Sequence, residues 1–253
     1  MGRTCSQGLG RSQRHDMIIS ANHPYFCPFP GFFYKGLLSD VLIILDEVQF
    51  PHGTTWISRN RFKNDQGALW LTIPVWKKGL GEQNINQVRI CYEGRWPRKH
   101  LESLKSAYGN APYLGDHLGF MEELFAGRFE KLIDLNLAII NYLMNCFQIK
   151  TRLVLLSRLG VKGRATQLLI EICRAMGGSV FLAQSQAKKY LDADLFHREG
   201  IELRYFRYVA PIYPQLWGEF LANLSTFDLV FNCGPKAPDI LLRHQPVASP
   251  GSV

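Results

Sequence analysis

The chain has 253 residues, 47% of them apolar, and a formal charge of +8. That composition is enough for one large α/β domain or two small ones and excludes a disordered chain. No uncharged apolar run reaches about 18 residues and no apolar leader ends in a small-residue cleavage site, so neither a membrane span nor a secretory signal is expected.

Six cysteines (Cys5, Cys27, Cys91, Cys146, Cys173, Cys233) lie far apart, with no Cys-x-x-Cys spacing and no Cys/His cluster. They read as reduced thiols of a cytoplasmic protein, and they argue against a structural zinc site. The positive charge is scattered or paired rather than blocked, and the short nucleic-acid motifs are missing. An anionic small molecule is the favoured partner, because a positive cleft attracts it equally well.

Residues 1–16 are rich in Gly, Ser, Gln and Arg without apolar periodicity, and are expected to be a disordered extension. Met17 to Ala21 reads as a strand. A loop follows, Asn22-His23-Pro24-Tyr25-Phe26-Cys27-Pro28-Phe29-Pro30-Gly31, whose prolines fix much of the backbone. The next elements are a short helix from Phe32 to Leu38 and an apolar strand from Val41 to Leu45 that ends on Asp46 and Glu47. Strands without polar alternation belong to sheets covered on both faces, and open α/β sheets place ligand chemistry just past the carboxyl ends of such strands. The stiff loop feeding a helix N-terminus is a seat for phosphate or carboxylate, or else a rigid turn that only packs.

Phe50 to Phe62 is a loop around Trp56 and the triplet Arg59-Asn60-Arg61. In extended geometry the two guanidinium groups share one face, which suits gripping one anion; ordinary surface pairing is the competing reading. Asn64 to Gly67 is a turn leading to a strand over Leu69–Val75, so a hairpin is expected. Lys77 to Gly81 would make a mobile basic lid, and Ile85 to Ile90 a short strand. Trp96 to Tyr108 has helical periodicity with Trp96, His100, Leu104 and Tyr108 on one stripe. His100, next to Lys99, is a candidate functional residue on that stripe, against the alternative that it merely packs. A second helix is expected from Leu118 to Leu124.

Phe129 to Phe147 is the strongest helix pattern, followed by a strand over Thr151–Leu156. A helix capped by Thr166 and stopped by Gly177-Gly178 comes next, then a strand over Ser179–Ala183, a broken helical stretch over Ala187–Arg198 and a strand over Gly200–Phe206. This alternation is a parallel-sheet signature. Ser225 reads as the N-cap of a short helix, with Asp228 at the capping-box position. The division that results is a single α/β domain over residues 17–240, with an irregular or β insertion at about 50–110 and a disordered tail over 241–253. The fold class is a mostly parallel, Rossmann-like sheet flanked by helices.

Several strings then carry a likeness in order. They are Pro24, Pro28 and Gly31; Asp46-Glu47-Val48-Gln49-Phe50; Trp56 with Arg59-Asn60-Arg61; Trp70-Leu71-Thr72-Ile73-Pro74-Val75; Tyr190-Leu191-Asp192; Tyr213 with Gln215; Ser225 with Asp228-Leu229; and Phe231-Asn232 with Gly234. Together they resemble the WbqC-like protein family from Ile18 to Ile240. The resemblance implies a bacterial protein of surface-polysaccharide or sugar modification. Where the family opens with His then Gln before the proline, this chain has Asn22 and His23. A weaker likeness, of architecture alone, is to nucleotidylyltransferases with a His-x-Gly-His loop, a string this chain lacks.

The function expected from these readings is transfer involving a nucleotide-linked sugar or related anionic metabolite. Asn22, His23, Asp46 and Glu47 are the candidate catalytic residues, with His23 the side chain most easily poised near neutral pH. Asp46 or Glu47 would act as a base or hold Mg²⁺ with a nucleotide. The candidate substrate-binding residues are Tyr25, Gln49, Trp56, Arg59, Asn60, Arg61, His100, Tyr213, Gln215, Asp228 and Asn232. Cys27, beside His23 and near a helix start, is a separate candidate nucleophile, against the plainer reading of a buried thiol. Two alternatives stand beside the enzyme: a non-catalytic binding or scaffold protein of the same pathway, and a nucleic-acid-binding protein using the arginines and tryptophans. A homodimer is compatible with the sequence.

Overall fold

The computed structural model describes residues 16–243, so all but the last residue of the expected extension, and most of the expected tail, lie outside the described residues. The core is a five-stranded parallel sheet of β1 (Ile18–Asn22), β2 (Val41–Ile44), β5 (Arg152–Leu155), β6 (Val180–Gln184) and β7 (Glu202–Phe206), in the order β5-β2-β1-β6-β7. Side chains alternate across it, as the two-residue period requires. Ile19, Ala21, Val41, Ile43, Phe181 and Ala183 face one apolar cluster, and Leu42, Ile44, Leu182 and Phe206 face another. Both faces are therefore covered, which is why the strands read as nearly continuous apolar runs.

The first face carries α5 (Ala165–Met176) and α6 (Ala193–Arg198). The second carries α1 (Pro30–Leu37), α7 (Thr226–Cys233) and α8 (Ala237–Leu242) together with the segment between β2 and β5. That segment holds an antiparallel hairpin, β3 (Arg59–Asn64) and β4 (Gly67–Thr72), and three helices, α2 (Trp96–Tyr108), α3 (Leu114–Ala126) and α4 (Leu132–Cys146). It shares one apolar cluster with α1 and α7, so it is continuous with the sheet's own core.

Local deviations from the sequence reading have identifiable causes. Ile85–Gln87 is a 3-10 turn instead of a strand, because the side chains of Asn84 and Gln87 cap it reciprocally; within the expected strand Ile85 to Ile90, Arg89 and Ile90 make isolated β-bridges. Thr166 lies inside α5, where its hydroxyl accepts from the Asp192 backbone N–H at 3.1 Å; the position before the helix belongs to Arg164. Gly177 does end α5, with φ 67°, a left-handed geometry that glycine adopts without a Cβ clash. Ser225 caps α7 as expected, accepting from Phe227 N–H at 3.3 Å, but Asp228 turns away from the cap. Helix α1 begins two residues early because Pro30 supplies its first turn. Helix α8 continues through Leu242, with Leu241 fully buried.

Candidate functional site

The chain lays down β1, β2 and β5 in one direction and then returns to place β6 and β7 on the other side of β1. Loops leaving the carboxyl ends of β1 and β6 consequently diverge, and a crevice opens between them. A cavity of about 420 Å³ occupies this place, a size typical of small-molecule sites. Tyr25 and Phe29 come from the loop after β1, Gln184 and Gln186 from the end of β6 and its following turn, and Tyr208 and Ala210 from the segment after β7. Trp56, Asn60 and Arg61 enter from the hairpin and its approach, and Asn223 from the segment before α7.

The proline-rich loop cannot satisfy its carbonyls through a ladder, and buried side chains do so instead. Asn60 Nδ2 donates to the carbonyls of Phe26 (3.0 Å) and Cys27 (2.6 Å), Asn136 Nδ2 to that of Pro24 (2.7 Å), and the Thr226 hydroxyl to that of Pro28 (2.7 Å). Cys27 sits at φ 44°, the bend that turns the chain toward α1. Gly31 is required by close approach, since a Cβ there would lie 2.4 Å from the Phe29 ring and 2.7 Å from the Tyr208 ring. Those two rings pack over the start of α1, so the expected phosphate seat is covered by aromatic wall. The cavity lies beside it.

Arg61 dominates the cavity's charge. Its Nη2 donates to the carbonyls of Ala222 (3.2 Å) and Asn223 (3.3 Å), while its Nε is buried without a partner. The Tyr208 hydroxyl is likewise buried and unpaired, and burial holds its pKa above the ordinary tyrosine value. Unpaired buried polar atoms are uncommon in folded proteins, and here two belong to the same cavity wall. Below the loop, Lys35 of α1 is buried and donates to the Ala21 carbonyl (2.6 Å) and to Asn22 Oδ1 (3.1 Å). Desolvation lowers its pKa to about 8. Burial and the Lys35 charge lower the pKa of His23, which keeps its imidazole neutral at pH 7.

The expected site residues fall into four groups. Tyr25, Trp56, Asn60 and Arg61 converge on the cavity. Asn22 and His23 lie at its edge in sequence, the His23 ring centroid 6.1 Å from that of Tyr25, but neither lines it. Arg59 shares the outer face of the hairpin with Arg61, as the alternation requires, and stacks on Trp70 with its guanidinium carbon 3.7 Å from the ring centroid.

The remaining residues are engaged elsewhere. Asp46 accepts from the Ser157 backbone N–H (3.0 Å) and hydroxyl (2.6 Å), joining the ends of β2 and β5. Glu47 and Gln49 are exposed on the following turn. A ring nitrogen of His100 bonds the Thr72 carbonyl at 2.9 Å, and burial lowers the pKa of the imidazole. Asp228 is fully buried and accepts from Tyr108 (2.7 Å) and Tyr213 (2.9 Å). Beside it, Lys63 donates to Gln215 and to the Glu219 carbonyl, and Asn232 donates to the Asp228 carbonyl. This network ties β3, α2 and the segment before α7 to one another. Lys77 bonds the Gly53 carbonyl, and the 77–81 loop is not part of the cavity wall.

Magnesium prefers oxygen ligands with carboxylates among them. The cavity offers amide, phenol, indole and guanidinium groups, and both Asp46 oxygens are held by Ser157, so these residues do not fit the ion. Among the described residues no cluster of three or more His, Cys, Asp or Glu could hold a metal. Burial pushes the Cys27 thiol well above its ordinary pKa, outweighing its hydrogen bond with Ser225, so it is protonated near neutrality. No helix of the described residues is long and apolar enough to cross a membrane.

The sequence reading assigns no site role to Gln184, Gln186, Tyr208, Ala210, Asn223 or Lys35, although Gln184 lies in the string Leu182-Ala183-Gln184-Ser185, the counterpart of a later loop of the WbqC-like family. The two glutamines were within reach of the carboxyl-end rule applied to Asp46, since they follow directly on β6. Lys35 had a signal too, as the lone cation in an apolar helix. Tyr208 and Asn223 lie in irregular chain that carries no periodic signal.

No solved structure matches the chain. It is 29% identical over 227 residues to the uncharacterized protein Rv1507c of Mycobacterium tuberculosis, covering 88% of this chain and 96% of that one. The WbqC-like family model matches residues 23–240, nearly all of the described fold and every residue of the cavity wall, and the chain belongs to the WbqC-like protein family.

Proposed function

We propose that the cavity binds an anionic, sugar-bearing metabolite of the nucleotide-linked class, and that the protein acts on it as a transferase in bacterial polysaccharide or sugar modification. The carrying observation is the wall itself: amides of Gln184, Gln186 and Asn223, aromatic rings of Tyr25, Phe29, Trp56 and Tyr208, and one arginine, at the sheet's reversal point. Amides pair with sugar hydroxyls, aromatic faces cover the sugar's apolar face, and Arg61 balances a phosphate. His23, outside the wall but with its ring centroid 6.1 Å from that of the wall residue Tyr25, would serve as the base for an acceptor bound at the cavity's edge. It would receive the proton of the acceptor hydroxyl through one water as that oxygen bonds to the sugar and the nucleoside diphosphate departs with the bonding pair. Its lowered pKa supplies the neutral form this role needs. The parallel-sheet architecture is also compatible with a nucleotidylyltransferase-like reaction.

A non-catalytic binding protein of the same pathway is the second reading, favoured by a wall without carboxylate, imidazole or thiol. Thermal shift and native mass spectrometry with UDP-glucose, GDP-mannose and glucose 1-phosphate test the common part. Arg61→Ala is expected to raise the dissociation constant about tenfold or more. An affinity unchanged at physiological salt refutes the site. Turnover of a bound nucleotide-sugar with an acceptor, lost in His23→Ala, separates the enzyme from the binding protein.

A further inference from the structure

The outer face of the hairpin is built of alternating rings and cations. Arg61 pairs directly across the ladder with Trp70, and Arg59 pairs with Thr72 one step along. Trp56 lies beside Trp70 with ring centroids 5.5 Å apart, and the Arg61 guanidinium is 5.8 Å from one ring and 5.9 Å from the other. Yet Trp56 is 46% exposed and Trp70 42% exposed. Adjacent indoles left in water are a costly arrangement for a surface with no partner. Arg59 covers one face of Trp70. Trp56 belongs to the cavity wall as well, so the platform is continuous with the cavity and Arg61 stands at the junction.

We infer that Trp56 and Trp70 form a stacking subsite for the nucleobase of a ligand whose sugar enters the cavity and whose phosphates lie against Arg61. This rests on the functional reading above and specifies its ligand as a nucleoside diphosphate conjugate. Every base offers a π-face to an indole, and that interaction is sequence-tolerant and strong. The two cations choose between ligands: they complement the phosphates that accompany a base, whereas a neutral glycan chain gains nothing from them. The Nε atoms of Arg59 and Arg61 are buried without partners, so each guanidinium has hydrogen-bonding capacity unused by the protein.

Isothermal titration calorimetry of the full chain with UDP-glucose, UDP and glucose 1-phosphate tests the assignment. Trp70→Ala is expected to weaken UDP-glucose and UDP by about 5- to 150-fold, the range of one lost base stack. Glucose 1-phosphate affinity should stay within about twofold. Trp70→Phe restores most of the loss, which a merely structural role for the indole does not predict, and Arg61→Ala weakens all three ligands. If Trp70→Ala leaves UDP unaffected while Arg61→Ala weakens it, the stacking subsite is wrong and the cavity reading survives. If Trp70→Ala instead abolishes binding of maltohexaose with no effect on UDP, the platform is a glycan surface and the assignment is overturned. Failure of all three probes to bind the native protein overturns both.

Discussion

Replacing Lys35 by methionine removes an ammonium that the fold has taken out of water at the carboxyl end of β1. Lys35 is 8% exposed, and desolvation lowers its pKa from the ordinary 10.5 to about 8. The folded chain thus holds this proton less tightly than the unfolded chain, and unfolding takes up a proton between those values. Stability from this group rises with pH through that window, while at pH 7 both states are protonated and the burial cost is fully present. A depression of this size corresponds to about 3 kcal/mol in total, of which about 2 kcal/mol is recovered between pH 7 and about pH 9.5. Urea unfolding of both proteins at the two pH values measures it. The native protein should gain about 2 kcal/mol over that interval relative to Lys35→Met. Parallel profiles, within about 0.5 kcal/mol, would mean that Lys35 reaches water in the folded state and the reasoning fails. The same variant should raise the His23 pKa, followed by imidazole NMR, without reaching 6.5, because the larger effect of burial persists.

Asp228→Ala leaves the hydroxyls of Tyr108 and Tyr213 buried without their acceptor. The expected loss is about 2–6 kcal/mol, read as a fall of roughly 5–20 °C in Tm; a change under about 2 °C would show that water replaces the carboxylate. Gly31→Ala drives a methyl into the Phe29 and Tyr208 rings and should cost about 1–3 kcal/mol while weakening the cavity's ligand, measured by denaturation and titration; unaltered affinity would show that the rings yield freely. Cys27 should resist alkylation near pH 7.5 in the native protein and react on unfolding, checked by mass spectrometry of labelled peptides, and rapid native labelling would contradict its burial.

The sheet was legible because it obeys local rules. Apolar runs at Val41 and Val180, separated by helical periodicity, have few readings other than buried parallel strands, and the Gly177 boundary follows from single-residue geometry, whereas α1 starts at Pro30, two residues before the sequence reading places it. The hairpin was legible for a related reason, since the turn at Asn64 to Gly67 fixes its register and sets Arg59 and Arg61 on one face. What no local rule could supply is which polar residues the protein keeps for itself. Asp46 looks like a catalytic carboxylate in sequence and Asp228 like a substrate-binding one, but their partners, Ser157, Tyr108 and Tyr213, lie 111, 120 and 15 residues away. Tyr208 shows the opposite case: nothing near it in sequence marks it, and only the folded chain, which packs its ring near Tyr34 of α1, leaves its hydroxyl buried and unpaired in a cavity wall.

The wall has a consequence for how the molecule comes into being. Its residues span from Tyr25 to Asn223, and Arg61 finds its carbonyl partners 161 and 162 residues downstream. A nascent chain emerging from the ribosome can pair β1 with β2 early, yet it has no recess for a guest until the last connection has folded back over the hairpin. Occupancy therefore reports on completion of the whole topology, and it favours the finished molecule over every shorter intermediate by the full free energy of capture.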